Sequence, residues 1–479
     1  MSSNNDSVIQ RREYQRKILK ILEKNFVQGK HTLVEVDTGL GKRVLTYLLI
    51  KETLLKKRIL LLLHSTTSYL ETIQYFKTEY GDFSESEFQP FSSRTPTWLR
   101  KSSIENARII ATTPQTFFNV FNKMSNKPKF DVVIINEVDK IVRRQGDSRL
   151  LIFPYNTLIP YFVNSNAWIV GMTGTMRDSH ILYIHQRNTI EVQPEIISLD
   201  QRIPGLHVIR METLLAQTDI EDYIKTTYIQ RHPVEPSSTL QTILDLIDQG
   251  IKELRNDIIE ETLVTHPTLL ETIPSSQLAL VSGMLESGKR AQKYQGLLLI
   301  RKYCTAMQAP KYRRFLYRLK KFGVTKEIIR TLPEESNKVK TVWNLIKQRP
   351  ENSKTVILCS FLDTAHLLHE TIPNFGFPSF LITGQVRNKG EVLNDFKNCR
   401  GSATLVLTSV GERDIDIPQA QLLIVYDSIN TVKTMYQRMK RTRGGLVLCL
   451  YYQGTFEERK VGRLLYEISE RYPWSSIID

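Results

Sequence analysis

Short apolar runs rich in Val, Ile and Leu recur along the first 200 residues, and helical patterns separate them. Thr32–Val36, Arg58–Leu63, Ala107–Ala111, Asp131–Ile135 and Trp168–Met172 read as buried strands, with helical stretches such as Lys42–Leu55 and Tyr69–Tyr80 between them. A strand that is apolar on both faces must be covered on both faces. Alternation with helices supplies that cover, so the pattern requires a parallel sheet with helices packed against it. From about Gly205 to Ser336 the strand-like runs give way to helical periodicity, as in Ser237–Glu260 and Ser287–Leu319. The alternation then returns with Thr355–Cys359, Ser379–Ile382, Ala403–Thr408, Leu422–Tyr426 and Gly445–Tyr451. The expected fold is α/β, with two parallel-sheet domains flanking an inserted all-α domain. The expected divisions are a flexible N-terminus at 1–7, a first α/β domain at 8–204 and a helical insert at 205–336. A second α/β domain at 337–455 and a closing helix at 456–479 complete the chain.

Composition limits the function classes. Hydrophobic residues make up 41% of the chain, enough to build cores, which excludes a largely disordered protein. The longest aliphatic run, Ile59 to Leu63, is far below the roughly 20 residues of a membrane span. The first residues, MSSNNDSVIQRREYQ, lack an apolar signal region, so secretion is not expected. Cys304, Cys359, Cys399 and Cys449 lie far apart and form neither a zinc nor a disulfide pattern. The expectation is an intracellular chain with reduced thiols, no metal-ligand cluster and no membrane partner. Lys and Arg total 65 against 50 Asp and Glu, a net charge of +15 that points to a polyanion or to a generally basic background.

The first strand runs into Asp37-Thr38-Gly39-Leu40-Gly41-Lys42-Arg43 and then a helix. Glycines let a backbone wrap a phosphate, a helix start favours negative charge, and a lysine reaches terminal phosphates. Thr38, Gly39, Gly41 and Lys42 are therefore nucleotide-binding candidates, with an ordinary βα turn as the alternative. The residue after the lysine should carry a hydroxyl for Mg²⁺, and here it is Arg43. Asp37 adds a negative charge at the rim. A second nucleotide element is expected at the end of a later strand, where Asn136-Glu137-Val138-Asp139 stands. Asn136 is a poorer ligand for a hard dication than Asp, whereas Glu137 keeps a carboxylate to orient water.

Read together, these segments resemble the superfamily 2 helicases, in particular the Hef/FANCM branch. Glu13-Tyr14-Gln15 looks like an adenine-reading Q motif, with Gln15 as its nucleotide contact. His64–Leu70 is similar to motif Ia, Ala111-Thr112-Thr113-Pro114-Gln115-Thr116 to an ATPQT element and Gly171–Thr175 to motif III. Leu358-Cys359-Ser360-Phe361 resembles motif IV, with Gly384-Gln385 after it. Leu407-Thr408-Ser409-Val410-Gly411-Glu412-Arg413-Asp414-Ile415-Asp416-Ile417-Pro418 resembles motif V, and Gln437–Gly444 resembles motif VI. The resemblance covers nearly the whole chain, with the motifs in family order. It implies two RecA-like domains, ATP and Mg²⁺ as cofactors, and a helical insert that grips branched duplex DNA. It also implies Glu137, Arg438 and Arg441 as catalytic residues and Asp416 as a nucleotide contact. Thr66, Thr113, Pro114, Gln115, Ser360, Thr408 and Ser409 are implied as contacts to the nucleic-acid backbone.

The departures fall on the nucleotide side. Arg43 and Asn136 replace the two magnesium groups, Asp414 replaces a glycine, and Gly444 replaces the last arginine of motif VI. One arginine finger is worth about 10³–10⁵ in rate. ATP hydrolysis is therefore expected to be impaired or lost while nucleic-acid binding is kept. The leading reading is a protein that binds forked or branched DNA in repair or fork processing, alongside an XPF-type or other structure-specific nuclease. The alternatives are an active ATP-dependent DNA helicase and an interaction scaffold without DNA binding. The expected location is the cytoplasm of an archaeon or the nucleus of a eukaryote.

Residues 286–322 hold eleven Lys and Arg, among them Arg301, Lys302, Arg313, Arg314 and Arg318, and one acid, Glu286. Arg313, Arg314 and Arg318 are candidate phosphate contacts. The interleaved Tyr294, Tyr303, Tyr312, Phe315, Tyr317 and Phe322 read mainly as helical core. The earlier half of the insert, with Asp245, Asp248, Glu253, Asp257, Glu260 and Glu261, is acidic and reads as a face for a protein. Glu458-Arg459-Lys460 spells part of a nuclease signature. Leu464 stands where its metal-binding Asp is needed, so Phe456–Arg471 reads as a closing helix.

Overall fold

The computed structural model describes residues 11–37, 39–64, 66–79, 81, 83–142, 154–174, 176, 180–184, 189–265, 289–306, 336–386, 388–408, 420–427, 432–440, 445–472 and 474–478. The chain forms two compact units, residues 1–182 with 193–224, and residues 183–192 with 225–479.

The first unit is built on a seven-stranded parallel sheet. Its spatial order is Phe88–Pro90, Ile109–Thr112, Ile59–Leu62, Val132–Asn136, Trp168–Thr173, Thr32–Glu35 and His207–Ile209. Central strands such as Ile59–Leu62 and Ile109–Thr112 are buried throughout, as their unbroken apolar runs require. Phe117, Phe121, Phe130 and Phe162 pack together on one face of the sheet. Ala107, expected to open a strand, instead donates its N–H to Ser103 O at 3.0 Å and ends helix Thr97–Asn106. The helix expected over Lys42–Leu55 runs from Lys42 to Leu48 and continues as a wider π-turn from Leu49 to Thr53.

The second unit carries another seven-stranded parallel sheet. Its order is Ser379–Ile382, Ala403–Thr408, Lys354–Cys359, Leu422–Val425, Leu446–Tyr452, Thr227–Val234 and Ser475–Ile478. Ranked by position in the chain, the seven main strands of each sheet follow one order, 3-4-2-5-6-1-7. The α/β architecture with two such sheets and helices between is the one expected.

The expected boundary at residue 204 is corrected. His207–Ile209 completes the first sheet beside Thr32–Val34, and Thr227–Val234 is the first strand of the second sheet. Thr227–Val234 escapes a hydrophobic reading because Gln230, Arg231, His232 and Pro233 interrupt it. Its place beside Leu446–Tyr452 is a tertiary outcome. The helical segment therefore lies after the first strand of the second sheet. Its described part is Ser238–Thr265 and Lys289–Ala306. The two helices run antiparallel, with Arg301–Asp248 at 2.6 Å and Arg290–Glu261 at 3.2 Å. Ile243, Ile247, Ile251, Leu254 and Ile258 meet Tyr294, Leu297, Ile300 and Cys304 between them. The C-terminal region is also corrected, because helix Phe456–Arg471 is followed by strand Ser475–Ile478, which pairs with Thr227–Gln230. Among the described residues no helix is long and apolar enough to cross a membrane.

One buried ion pair ties the second unit together. Lys338, fully buried, donates to Glu457 Oε2 at 2.6 Å and to Tyr426 O at 3.3 Å. Tyr452 donates its N–H to the same Glu457 oxygen at 3.1 Å. Helix Asn337–Lys347, two strands and the closing helix thus converge on one charge pair. Lys338→Met is expected to cost about 3–5 kcal/mol, because Glu457 keeps its charge without its cation. Pairing it with Glu457→Leu is expected to recover most of that loss. Urea midpoints of the single and double variants measure both effects.

Candidate functional site

The turn after Thr32–Glu35 is shaped for close approach of a phosphate. Gly39 and Gly41 have φ of 89° and 76°, the left-handed region where side chains are strained. A Cβ at Gly41 would sit 3.0 Å from Gln15 Nε2. Gln15 is buried at the start of helix Glu13–Val27, and its Oε1 accepts from Arg12 N–H at 3.2 Å. Beside it the Tyr14 hydroxyl donates to Leu40 O at 2.8 Å, which anchors the helix to the turn. Lys42 Nζ donates to Val36 O at 3.0 Å and to Asp37 O at 3.4 Å, so the ammonium lies within the loop. Gln15, Gly39, Gly41 and Lys42 are therefore gathered. Thr38 lies outside the described residues.

The cation side is different. Strand Val132–Asn136 ends in Asn136, whose Nδ2 donates to Ser68 Oγ at 2.9 Å. Glu137 follows with φ 56° and ψ 52°, an uncommon backbone state for a side-chain-bearing residue. Asp139, fully buried, accepts from Thr173 Oγ1 at 2.9 Å and so joins this turn to the next strand. Gly171 on that strand gives Val138 its space, since a Cβ there would come within 2.6 Å of Val138. Arg43 pairs with Glu71. A guanidinium offers only donors and a fixed positive charge, and Mg²⁺ demands oxygen ligands. The loop residues thus suit the phosphates of a nucleotide, whereas Arg43 does not suit its Mg²⁺ and Asn136 suits it less well than a carboxylate.

The residues implied to touch a nucleic-acid backbone are partly committed to structure. Thr66 is exposed at the start of helix Thr66–Gln74. Thr113 caps helix Pro114–Phe121, and its Oγ1 accepts from Thr116 N–H at 3.4 Å. Pro114 is buried in the first helical turn, while Gln115 is exposed and donates to Asn119 Oδ1 at 3.0 Å. Ser360 donates its N–H to Asp427 Oδ2 at 2.7 Å, and its hydroxyl also bonds Asp427. Thr408 ends a buried strand and is 3% exposed. Arg438 lies on helix Val432–Met439 with its side chain outside the described set. Arg313, Arg314, Arg318, Ser409, Asp414, Asp416, Arg441 and Gly444 lie outside the described residues.

Two family models match this chain. One, "Type III restriction enzyme, res subunit", covers residues 8–178, and the other, "Helicase conserved C-terminal domain", covers residues 337–445. The helicase domain of Hef from Pyrococcus furiosus superposes with a TM-score of 0.58 at 18% identity, over 97% of this chain and 98% of that one. The chain shares the fold of that helicase domain. Dbp5 of Saccharomyces cerevisiae, solved with RNA and ADP BeF3, shares the fold with a TM-score of 0.55 at 13% identity, over 98% of this chain and 89% of that one. The ATP-dependent DNA helicase MPH1 of Pyricularia oryzae is 23% identical over 424 residues, 75% of this chain. The chain spans 36% of the length of that relative.

Within this helicase fold the two halves of the insert touch. Asp248 and Glu261 pair with Arg301 and Arg290 of the basic half, while Asp245, Glu253, Asp257 and Glu260 stay exposed. Tyr294 is buried in the helical core, and Tyr303 lies tilted against Phe361 with ring centroids 4.2 Å apart. Lys302 donates to Ser360 Oγ at 3.0 Å and lies 4.0 Å from Asp427. Sequence reasoning missed Glu71 and Asp427, and it saw Ser68 and Lys302 only as members of motif Ia and of the basic run. One signal for Glu71 was available, since Arg43 in a metal position needs an acid nearby.

Lys460, on the closing helix, belongs to the same charged neighbourhood. Burial, and then the nearby charge of Lys302, pushes its ammonium down to about 8 from an ordinary 10.5. Between these values the unfolded chain holds a proton that the native state has released. Stability therefore rises with pH across that window and is flat below it. Lys460→Gln is expected to abolish the rise, as read from unfolding midpoints at about pH 7 and about pH 10.

Proposed function

We propose that this protein binds nucleic acid, with forked or branched DNA as the preferred form, and that its ATP hydrolysis is impaired or lost. The observation that supports this is the use made of the two magnesium positions. Arg43, paired with Glu71, offers only donors, and Asn136, whose Nδ2 is bonded to Ser68, has a neutral amide oxygen in place of a carboxylate for a dication. The phosphate loop keeps Gly39, Gly41 and Lys42, and Gln15 stays beside it, which favours retained nucleotide binding. Thr66 and Gln115 remain exposed at the carboxyl end of the first sheet, where backbone phosphates are accessible. A net charge of +15 favours a polyanion. Cooperation with a structure-specific nuclease is part of the same reading.

Turnover of ATP by the unmodified chain, with and without forked DNA, tests the proposal against Arg43→Thr with Asn136→Asp. The unmodified chain is expected to stay well below about 1 s⁻¹, the lower end of ordinary enzyme rates. The double variant is expected to gain Mg²⁺-dependent turnover. DNA-stimulated hydrolysis at or above about 1 s⁻¹ in the unmodified chain would establish instead an active ATP-dependent helicase, for which Glu137 is retained. Neutralising Arg313, Arg314 and Arg318 is expected to weaken fork binding and to lower the salt slope by about one for each phosphate that an arginine no longer neutralises. A fork titration at several salt concentrations reads that slope.

A further inference from the structure

Both positions that would have to serve Mg²⁺ are turned onto one helix. Arg43 reaches Glu71, and Asn136 reaches Ser68. Ser68 and Glu71 are three residues apart on Thr66–Gln74 and so lie on one face of that helix. Tyr69 and Thr72, 6% and 2% exposed, bury the neighbouring face, while Thr66 is exposed at the first turn. The phosphate loop, the end of strand Val132–Asn136 and the helix beginning at Thr66 are therefore joined through the side chains of Arg43, Glu71, Asn136 and Ser68.

We propose that Arg43 and Asn136 are positioning residues for nucleic-acid binding. They hold helix Thr66–Gln74 in the pose that presents Thr66 to a phosphate, and they make that pose independent of Mg²⁺. The inference rests on the nucleic-acid reading of Thr66 given above. A metal bridge exists only while a cation is bound, whereas a guanidinium–carboxylate pair is permanent and directional. The side chains of Arg43 and Glu71 are 38% and 24% exposed, which shields the pair in part from salt. The link from the phosphate loop and the strand end to this helix is thus made by the protein's own side chains.

Fork-DNA affinity of the full chain, measured by anisotropy at matched ionic strength in EDTA and in Mg²⁺, tests this. The unmodified chain is expected to bind equally in both, within about twofold, a difference under 0.5 kcal/mol. Arg43→Glu is expected to weaken binding about tenfold, and Arg43→Glu with Glu71→Arg to recover most of it, a coupling within the usual range for contacting residues. Glu71→Arg alone separates geometry from net charge. It adds positive charge, yet it sets two cations face to face and is expected to weaken binding. Should Glu71→Arg not fold, Glu71→Gln with Asn136→Ala takes its place, with the same weakening expected. Tighter or unchanged binding by these variants, or a requirement for Mg²⁺ in the unmodified chain, overturns the inference and leaves the proposed function standing. A complete lack of salt-sensitive DNA binding by the unmodified chain overturns both.

Discussion

The candidate residues at the strand ends depend on one constraint, the parallel direction of the strands. When neighbouring strands point the same way, the loops that follow them collect at one edge. In the first unit that edge receives the phosphate loop after Thr32–Glu35, Thr66 after Ile59–Leu62, Thr113 after Ile109–Thr112 and Glu137 after Val132–Asn136. In the second it receives Ser360 after Lys354–Cys359 and Thr408 at the end of Ala403–Thr408. The buried ladders are rigid, so a side chain at a strand end inherits a fixed position. That rigidity lets Asn136, at the end of a strand, meet Ser68 on a helix 68 residues earlier in the chain.

The same edge explains why two substitutions act together. Arg43 opens the helix after one strand and Asn136 closes another, and both face the helix after a third. A cation at that place would draw oxygens inward. A guanidinium and an amide draw a carboxylate and a hydroxyl instead. In the second unit the corresponding economy is the cluster around Asp427, which pins Ser360 and attracts Lys302 from the helical insert. The insert is thereby tied to the strand end that carries Ser360, in addition to its apolar contacts with Val234 and Tyr452.

Legibility followed burial. Strands that are apolar on both faces, such as Ile59–Leu62 and Ala403–Thr408, declare themselves because every residue must leave water. Strands without such a run do not. His207–Ile209 and Ser475–Ile478 are short, and Thr227–Val234 carries Arg231, His232 and Pro233, so none shows an unbroken apolar run. Each is a strand because a neighbour supplies the hydrogen-bond ladder. The same holds for the charges of the insert, where two runs of opposite sign become Arg301–Asp248 and Arg290–Glu261 once the helices fold back.

By itself the sequence determined the two α/β alternations, the phosphate loop, the order of the strand-end motifs and the chemical change at Arg43 and Asn136. Those depend on residue type and local spacing, which a linear chain already contains. Only the tertiary structure decided where Thr227–Val234 pairs, that Lys338 and Glu457 share one buried charge site, and that Arg43 and Asn136 use the same helix. Each of these joins groups far apart in the chain, and packing of the sheets against their helices is what brings such groups within a few ångströms.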